Sequence, residues 1–173
     1  MIAKLILIMG VSGTGKSTLA DALAKHLSFD YFDADDFHSQ EAVSLMTRGI
    51  PINPVMRQAW IERMKHYFSS TEFNNKNIVL AYSGLKHAHR KTLSELAQQV
   101  TYVLIEPESS LLRTRLKNRK THFFSPSLLI DQLNQFEPLS EVEAVKTIML
   151  SMKQTNQQQI TRIAQQQESY YET

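Results

Sequence analysis

The stretch that most constrains the fold of this chain lies near its start, where residues 8–18 read IMGVSGTGKST. Gly10, Gly15, Lys16 and Ser17 fit the pattern G-x-x-x-x-G-K-[ST], directly between a short apolar run and a helical pattern. Glycines let such a backbone turn tightly and bring several N–H groups to one anion, and the start of a helix adds its positive dipole end. The alternative is a glycine-rich turn with an incidental lysine, which the completeness of the motif disfavours. The stretch therefore predicts a loop that cradles a nucleoside triphosphate.

Individual residues of this loop are expected to perform separate tasks. Lys16 reaches the terminal phosphates and supports catalysis there, and the Ser17 hydroxyl is a magnesium ligand. The predicted nucleotide-binding residues of the loop are Gly10, Ser12, Gly13, Thr14, Gly15, Lys16, Ser17 and Thr18. The motif does not identify the phosphate acceptor, because GTPases, ATPases and small-molecule kinases share it.

Hydrophobic patterning predicts an α/β chain in which short strands alternate with helices. The strands are predicted at residues 4–9, within 29–36, at 78–83 and at 101–106. The first helix is predicted at about residues 16–27, and Asn53–Pro54 is expected to cap and open a helix that runs to about residue 68. This alternation indicates a three-layer P-loop NTPase fold, in which helices flank a short parallel sheet on both faces.

Composition narrows the class of protein. The chain has 173 residues, a formal net charge of +2 and no cysteine. The small charge gives no argument for a nucleic-acid or membrane partner, and no apolar run approaches the length of a membrane span. Disulfides and thiolate metal sites are excluded, which fits a reducing compartment, and we expect a cytoplasmic protein.

A second polar segment, DADDFH, follows the second predicted strand. Ligands of open parallel sheets bind beyond the carboxyl ends of the strands, so Asp33 and Asp35 are expected beside the phosphate loop. One carboxylate can hold magnesium through water and another can accept a proton from an attacking hydroxyl; the alternative is a solvated acidic turn. The chain has no N-K-x-D segment of the kind that reads guanine, and it is short for a motor or helicase. These residues favour a kinase that acts on a small metabolite.

Five segments occur in the order and spacing of the gluconokinases: GVSGTGKST, DADDFH, RGIPIN with RQAW close behind, SGLKHAHR and RLKNRKTHFF. The chain resembles this family over roughly residues 5–137, and the family resembles shikimate and adenylate kinases in fold. The loop motif is specific only to the superfamily, whereas the D-x-D-x-x-H, S-x-L-K-x-x-x-R and R-K-x-H-F-F segments together are specific to the family. The resemblance implies ATP- and Mg²⁺-dependent phosphorylation of D-gluconate at its 6-hydroxyl, giving 6-phosphogluconate.

The resemblance also implies roles for residues on the acceptor side. Asp35 would orient and deprotonate the hydroxyl, and Asp33 would lie near magnesium. The implied substrate-binding residues are Asp35, His38, Arg57, Lys86 and Arg90. Arginine suits a carboxylate substrate because its guanidinium binds both oxygens at once. Without the resemblance, His38 at a helix start and Arg90 on a helix would fit structural or solvated roles equally well.

The basic stretch RTRLKNRK leads into THFF, and the resemblance implies a mobile lid over about residues 115–126. Arg115 would lie by the adenine, and Arg119 and Lys120 would lie over the transferring phosphate, Arg119 with a catalytic role. Closure would exclude water, which otherwise competes as phosphoryl acceptor. On the residues alone, the stretch fits a polar helix face, with Phe123 and Phe124 in the core.

The chain departs from the family pattern at several places. The family tends to carry acidic residues just before the arginine, where this chain has Pro54, Val55 and Met56, and DQLNQFEP replaces a segment usually read as S-Q-F. We also expect the family's fifth strand to be missing, because EPLSEVEAVKTIML runs almost directly into the last helix, and SEVE at residues 140–143 has the spacing of a capping box at the start of that helix. A missing strand would remove one wall of the adenine site and weaken the discrimination between ATP and GTP. These departures leave open a kinase for another sugar acid or polyol, or an inactive nucleotide-binding homologue.

We divide the chain into a P-loop kinase domain over residues 1–152 and a glutamine-rich C-terminal tail over residues 153–173. The tail is expected to be frayed, or to be an extended helix with a partner. The expected ligand is a small molecule, with no nucleic-acid or membrane partner. A homodimer is compatible with the sequence.

Overall fold

The computed structural model describes residues 1–118 and 127–169, and its centre is a five-stranded sheet. The strands are β1 (Ile2–Met9), β2 (Asp30–Asp33), β3 (Asn77–Tyr82), β4 (Ala97–Glu106) and β5 (Thr147–Ser151). Their order is β2-β3-β1-β4-β5, and every neighbouring pair is parallel. Because β1 is central, its Ile6 pairs with both Val79 and Thr101.

Helices cover both faces of this sheet. They are α1 (Lys16–Leu27), α2 (Gln40–Thr47), α3 (Pro54–Phe68), α4 (His87–Ser94), α5 (Ser109–Asn118), α6 (Ser127–Gln135), α7 (Glu141–Val145) and α8 (Asn156–Ser169). Two single 3-10 turns, Ala34–Phe37 and Thr71–Phe73, follow β2 and α3. The start of α3 has the sequence chemistry expected for it, since the Asn53 side chain accepts a hydrogen bond from the Met56 N–H and Pro54 follows it.

Alternating side chains of β1 supply two separate cores. Ile6 and Ile8 are buried on the face covered by α1, whereas Leu5 and Leu7 are buried on the face covered by α3. Continuous burial of a central strand explains its near-continuous apolar sequence. The predicted three-layer α/β fold is confirmed.

The expectation of a missing fifth strand is wrong. Residues Thr147–Ser151 pair in parallel with β4, and Ile148 and Leu150 are buried. The SEVE segment does form a capping box, but it caps the five-residue helix α7, not the last helix of the chain. A strand of only five residues that follows a capped helix almost directly has no turn signal to separate it from that helix in the sequence. The weak ATP/GTP discrimination inferred from the missing strand therefore loses its basis.

The interpretation of residues 153–173 as a tail outside the domain does not hold for Asn156–Ser169. These residues form α8, which packs against α1, and Ile160 and Ile163 are buried in the same core as Ile6. The glutamines surround an apolar stripe that belongs to the domain. Among the helices of the described residues, none has the length and apolar character needed to cross a bilayer.

Candidate functional site

The glycine loop joins the end of β1 to the start of α1. Gly15 has φ 101° and Gly10 has φ 145°, values that residues with a side chain rarely adopt. A Cβ atom on Gly10 would lie 2.8 Å from Thr14 Oγ1 and 3.0 Å from Ile105 O, so the loop is packed tightly against its own residues and β4. Lys16 Nζ donates to Val11 O at 3.1 Å, which folds the lysine back over the loop. The result is an anion site of backbone N–H groups at a helix start.

The DADDFH segment forms the turn after β2 and is held by residues of α3. Asp33 Oδ1 accepts the Asp35 N–H at 3.0 Å and caps the 3-10 turn. Trp60 Nε1 donates to Ala34 O at 2.7 Å, and the Trp60 ring stacks on His38 with centroids 4.4 Å apart. The turn that carries Asp35 is thus fastened to α3 by a residue far along the chain.

One cavity, which we call the inner cavity, brings seven of the predicted site residues together. Its charged and polar lining residues are Ser12, Lys16, Ser17, Asp33, Asp35, His38, Ser83, Arg57, Asp131 and Gln132. The phosphate loop, the acidic turn and the predicted carboxylate-binding Arg57 therefore share one space at the carboxyl ends of the strands. The remaining predicted loop residues do not line this cavity, and Thr18 is exposed on α1; they are Gly10, Gly13, Thr14, Gly15 and Thr18.

A second cavity, the outer cavity, adjoins the first and shares Pro51, Ile52, Arg57 and Asp131 with it. Lys86 lines this outer cavity, where its Nζ lies 3.1 Å from Glu137 Oε1. Within the described part of the chain, Arg57 forms no ion pair with a carboxylate; its guanidinium only approaches Ile52 O at 3.4 Å. Arg57 is therefore available to a carboxylate ligand, whereas Lys86 is already paired with the Glu137 carboxylate.

Burial changes the proton affinity of the histidines on the acceptor side. Desolvation, helped by the nearby guanidiniums of Arg63 and Arg57, lowers the pKa of His38 to about 4. Desolvation also lowers the pKa of His89, which lines the outer cavity. His38 is therefore neutral near pH 7 and can contribute a hydrogen bond but no positive charge to a bound carboxylate.

Arg90 does not line either cavity, so its predicted role as a substrate-binding residue is contradicted by its surroundings. Its side chain is fully buried and binds Glu143 with both Nε, at 2.7 Å from Oε1, and Nη2, at 3.1 Å from Oε2. The guanidinium also donates to the carbonyl oxygens of Gly84, Leu85, Glu137 and Pro138. No donor is left for a ligand. Arg90 instead ties α4 to α7 and to the segment after α6.

Glu143 is the buried partner of this arginine. Burial alone raises the pKa of the Glu143 carboxyl, but hydrogen bonds from Arg90, the Ser140 N–H and His87 outweigh it and lower the pKa to about 2. His87 Nδ1 lies 3.0 Å from Glu143 Oε2. Glu143 was missed on sequence because it stands in a capping box, which already explains a glutamate at that position.

The residues predicted to hold magnesium fit a hard cation. Ser17 and Asp33 both line the inner cavity and offer hydroxyl and carboxylate oxygens, the donors that Mg²⁺ prefers. Asp33 Oδ2 also accepts from the Tyr31 hydroxyl at 3.2 Å, which orients the carboxylate. In the described residues no group of three or more histidines, cysteines and carboxylates could by itself hold a metal ion. This agrees with magnesium being bound through one or two protein ligands and the substrate phosphates.

The predicted lid over about residues 115–126 is not tested by this structure. Arg115 lies on α5, but its side chain is outside the described part of the chain, as are Arg119, Lys120, Phe123 and Phe124. Their roles remain predictions.

Sequence reasoning missed the contributions of α6 and Trp60. Asp131 and Gln132 line the inner cavity, and Gln132 Oε1 accepts the Ser12 N–H of the glycine loop at 2.7 Å. Their only signal on sequence was the unusual DQLNQF segment. Trp60, in the RQAW segment, positions the acidic turn through the contacts described above.

The chain is similar to known proteins over most of its length. The family model described as an AAA domain matches residues 5–139. The chain is 37% identical over 139 residues to a probable gluconokinase of Dictyostelium discoideum, covering 77% of this chain and 70% of that protein. It is 35% identical over 162 residues to the gluconokinase of Arabidopsis thaliana, covering 86% and 84%.

Among solved structures, a gluconokinase from Sinorhizobium meliloti 1021 superposes with a TM-score of 0.81 at 28% identity, covering 98% of this chain and 97% of that one. The similarity extends over nearly the whole length of both chains. The chain belongs to the gluconokinase family of P-loop kinases.

Proposed function

We propose that this protein transfers the terminal phosphoryl group of ATP to the 6-hydroxyl of D-gluconate, releasing ADP and 6-phosphogluconate. The observation that carries the proposal is the shared inner cavity. Its lining includes the phosphate loop, Asp35 and Arg57, and Arg57 forms no ion pair with a carboxylate of the described residues. The names of the relatives support gluconate as the acceptor.

Each end of the cavity supports a different part of the reaction. Backbone N–H groups of the glycine loop and Lys16 would bind the triphosphate and stabilise the charge on the transferring group. Arg57 would bind the gluconate carboxylate with two parallel hydrogen bonds and so set the distance from that end to the 6-hydroxyl. Positioning of this kind supplies much of the rate enhancement in phosphoryl transfer, because little covalent chemistry falls to the protein.

Asp35 is the residue that would accept the proton. Asp35 lines the same cavity as Lys16, and Asp33 and Trp60 hold the turn on which it lies. The 6-hydroxyl oxygen would attack the terminal phosphorus as the bond to the bridging oxygen of ADP breaks, and the hydroxyl proton would pass to Asp35. Ser17 and Asp33 would hold Mg²⁺, which when bound neutralises charge on the phosphates.

A second candidate acceptor is another sugar acid or a polyol. It is favoured by the carboxylates of Asp131 and Glu137, which line the outer cavity together with Arg57 and suit hydroxyl groups as hydrogen-bond acceptors. The substitution of the family's acidic residues by Pro54, Val55 and Met56 points in the same direction. A small-molecule kinase without cysteine also fits the cytoplasm, which we propose as its location.

The test is acceptor-stimulated ADP release by the purified protein with gluconate, other sugar acids, shikimate, glucitol and no acceptor. Gluconate is expected to give the highest kcat/KM, and Asp35→Asn is expected to lower kcat by about 10²-fold or more with a modest change in KM. Asp36→Asn, which changes the exposed neighbouring carboxylate, is the matched control and should retain activity. A higher kcat/KM for another acid would replace gluconate as substrate, and no stimulation by any acceptor would contradict the proposed activity.

A further inference from the structure

Asp131 of α6 lines both the inner and the outer cavity, so it lies where the two adjoin. Of the described residues, the other charged one that lines both is Arg57, which comes from α3. Arg57 forms no ion pair with a carboxylate of the described residues, so these two opposite charges share one space without pairing with each other. A ligand that satisfies both must offer an anionic group to the guanidinium and hydrogen-bond donors to the carboxylate.

The Asp131 carboxylate is held in place from its own helix. Gln135, one turn further along α6, donates from Nε2 to Asp131 Oδ2 at 2.6 Å. Gln135 lines the outer cavity, and its Oε1 is buried without a hydrogen bond from the described residues, so the contact with Asp131 is what orients the amide. Within the described part of the chain, Gln135 is the only side chain bonded to Asp131, which leaves Oδ1 for a ligand.

Two other carboxylates of the acceptor side have different surroundings. Asp35 lines the inner cavity, which it shares with the phosphate loop, and does not line the outer one. Glu137 lines only the outer cavity, and its carboxylate already accepts from Lys86 Nζ at 3.1 Å and from the His87 N–H at 2.7 Å. Asp131 is therefore the carboxylate that an acceptor reaching from the phosphate loop into the outer cavity meets between its two ends.

We propose that Asp131 determines acceptor specificity by accepting hydrogen bonds from hydroxyl groups in the middle of a polyhydroxy acid, and that Gln135 positions its carboxylate for this. The inference rests on the proposed function, because it takes a sugar acid as the acceptor. Arg57 binds the acid group and Asp35 meets the reacting hydroxyl, while Asp131 binds the chain between them. An acceptor without the matching hydroxyl leaves this carboxylate desolvated and unpaired, so the site rejects it.

The test compares Asp131→Ala with the removal of single hydroxyls from the acceptor. The variant is expected to lower kcat/KM for gluconate about 10- to 100-fold, mainly through KM, which is the range for a hydrogen bond to a charged group. Gluconates that lack the 2-, 3-, 4- or 5-hydroxyl are then compared in both proteins. The deoxy acid whose missing hydroxyl Asp131 binds should be a poor acceptor for the wild-type protein and should lose little further in the variant.

Gln135→Met tests the positioning role, because it removes the amide but keeps the length of the side chain. The KM for gluconate is expected to rise about 3- to 10-fold with little change in kcat. The double variant Asp131→Ala/Gln135→Met should lose no more than Asp131→Ala alone, since the amide acts through the carboxylate. Asn134→Ala, at an exposed position of the same helix, should alter neither KM nor kcat. Thermal unfolding checks that each variant is folded.

Unchanged kcat/KM in folded Asp131→Ala, or equal further losses for all the deoxy acids, would overturn the role of Asp131. Losses that multiply in the double variant would overturn the positioning role of Gln135. If Asp131→Ala does not fold, Asp131→Asn, which keeps the shape without the charge, decides by the same comparison. If the wild-type protein prefers another sugar acid, the gluconate assignment fails, and deoxy analogues of that acid still decide the role of Asp131. If no acceptor stimulates ADP release, both proposals fail.

Discussion

The phosphate loop and the acceptor side of the cavity are built in different ways. The loop is a run of consecutive residues, and its function comes from backbone N–H groups whose geometry the local sequence determines. The acceptor side is assembled from α3, the segment before α4, and α6. Arg57 and Arg90 show the consequence: Arg57 lines both cavities, while Arg90 is buried against Glu143. An arginine's role here depends on which distant groups it meets.

The largest effect is expected from breaking the buried ion pair that distinguishes these two arginines. Arg90→Met leaves Glu143 buried without its partner and should lower the free energy of unfolding by about 3–5 kcal/mol. The double variant Arg90→Met/Glu143→Leu removes both charges and should recover much of this loss. Urea denaturation of the two variants and the wild-type protein measures both values.

A different outcome would support a substrate-binding role for Arg90. Unchanged stability of Arg90→Met, together with a raised KM for gluconate, would show that its contacts with Glu143 and the carbonyl groups contribute little. If the single variant does not fold at all, recovery of folding in the double variant still supports the structural role.

The phosphate loop should respond to substitution in catalysis rather than in stability. Lys16→Ala is expected to lower kcat by about 10²- to 10³-fold, the scale for removing one preorganised charge-stabilising group. The midpoint of unfolding should change little, because the lysine lines the cavity and does not pack in the core. Lys25→Ala on the exposed side of α1 is the control. A normally active Lys16→Ala protein would contradict the assignment of the loop.

This contrast also explains what could be predicted from the sequence. The loop, both boundaries of α1 and of α3, and the acidic turn follow from local patterns, and the structure has them where they were expected. The strand β5 was missed because five residues next to a capping box do not break a helical pattern. The burial of Arg90 and the reach of Gln132 were missed because both depend on partners more than 50 residues away.

Within the acceptor side, the protonation state of His38 should make the stability of the fold depend on pH. The pKa of His38 is lowered to about 4 in the folded state, mainly by desolvation, whereas the unfolded chain has an ordinary value near 6.5. Below about pH 6.5 the unfolded state therefore binds the proton more readily. Stability should fall by up to about 3 kcal/mol as the pH decreases from 6.5 to 4.

The measurement is the free energy of unfolding of the wild-type protein and of His38→Gln at a series of pH values from 7.5 to 4. The difference between the two pH profiles gives the contribution of His38. The difference should change by up to about 3 kcal/mol over that range. His66→Gln, at an exposed position of α3, controls for the loss of a histidine and should follow the wild-type profile. Parallel profiles for His38→Gln and the wild-type protein would mean that His38 is protonated as readily in the folded state as in the unfolded chain.

The central claim is that Arg57, rather than Arg90, binds the acceptor carboxylate, and a comparison of two acceptors tests it most directly. Glucitol has the hydroxyls of gluconate but no carboxylate. Arg57→Gln should lower kcat/KM for gluconate about 10- to 100-fold, mainly through KM, since hydrogen bonds to charged groups contribute about 1.5–3 kcal/mol. The same variant should leave kcat/KM for glucitol nearly unchanged. Equal losses for both acceptors would contradict the claim, because Arg57 would then support the cavity without recognising the carboxylate.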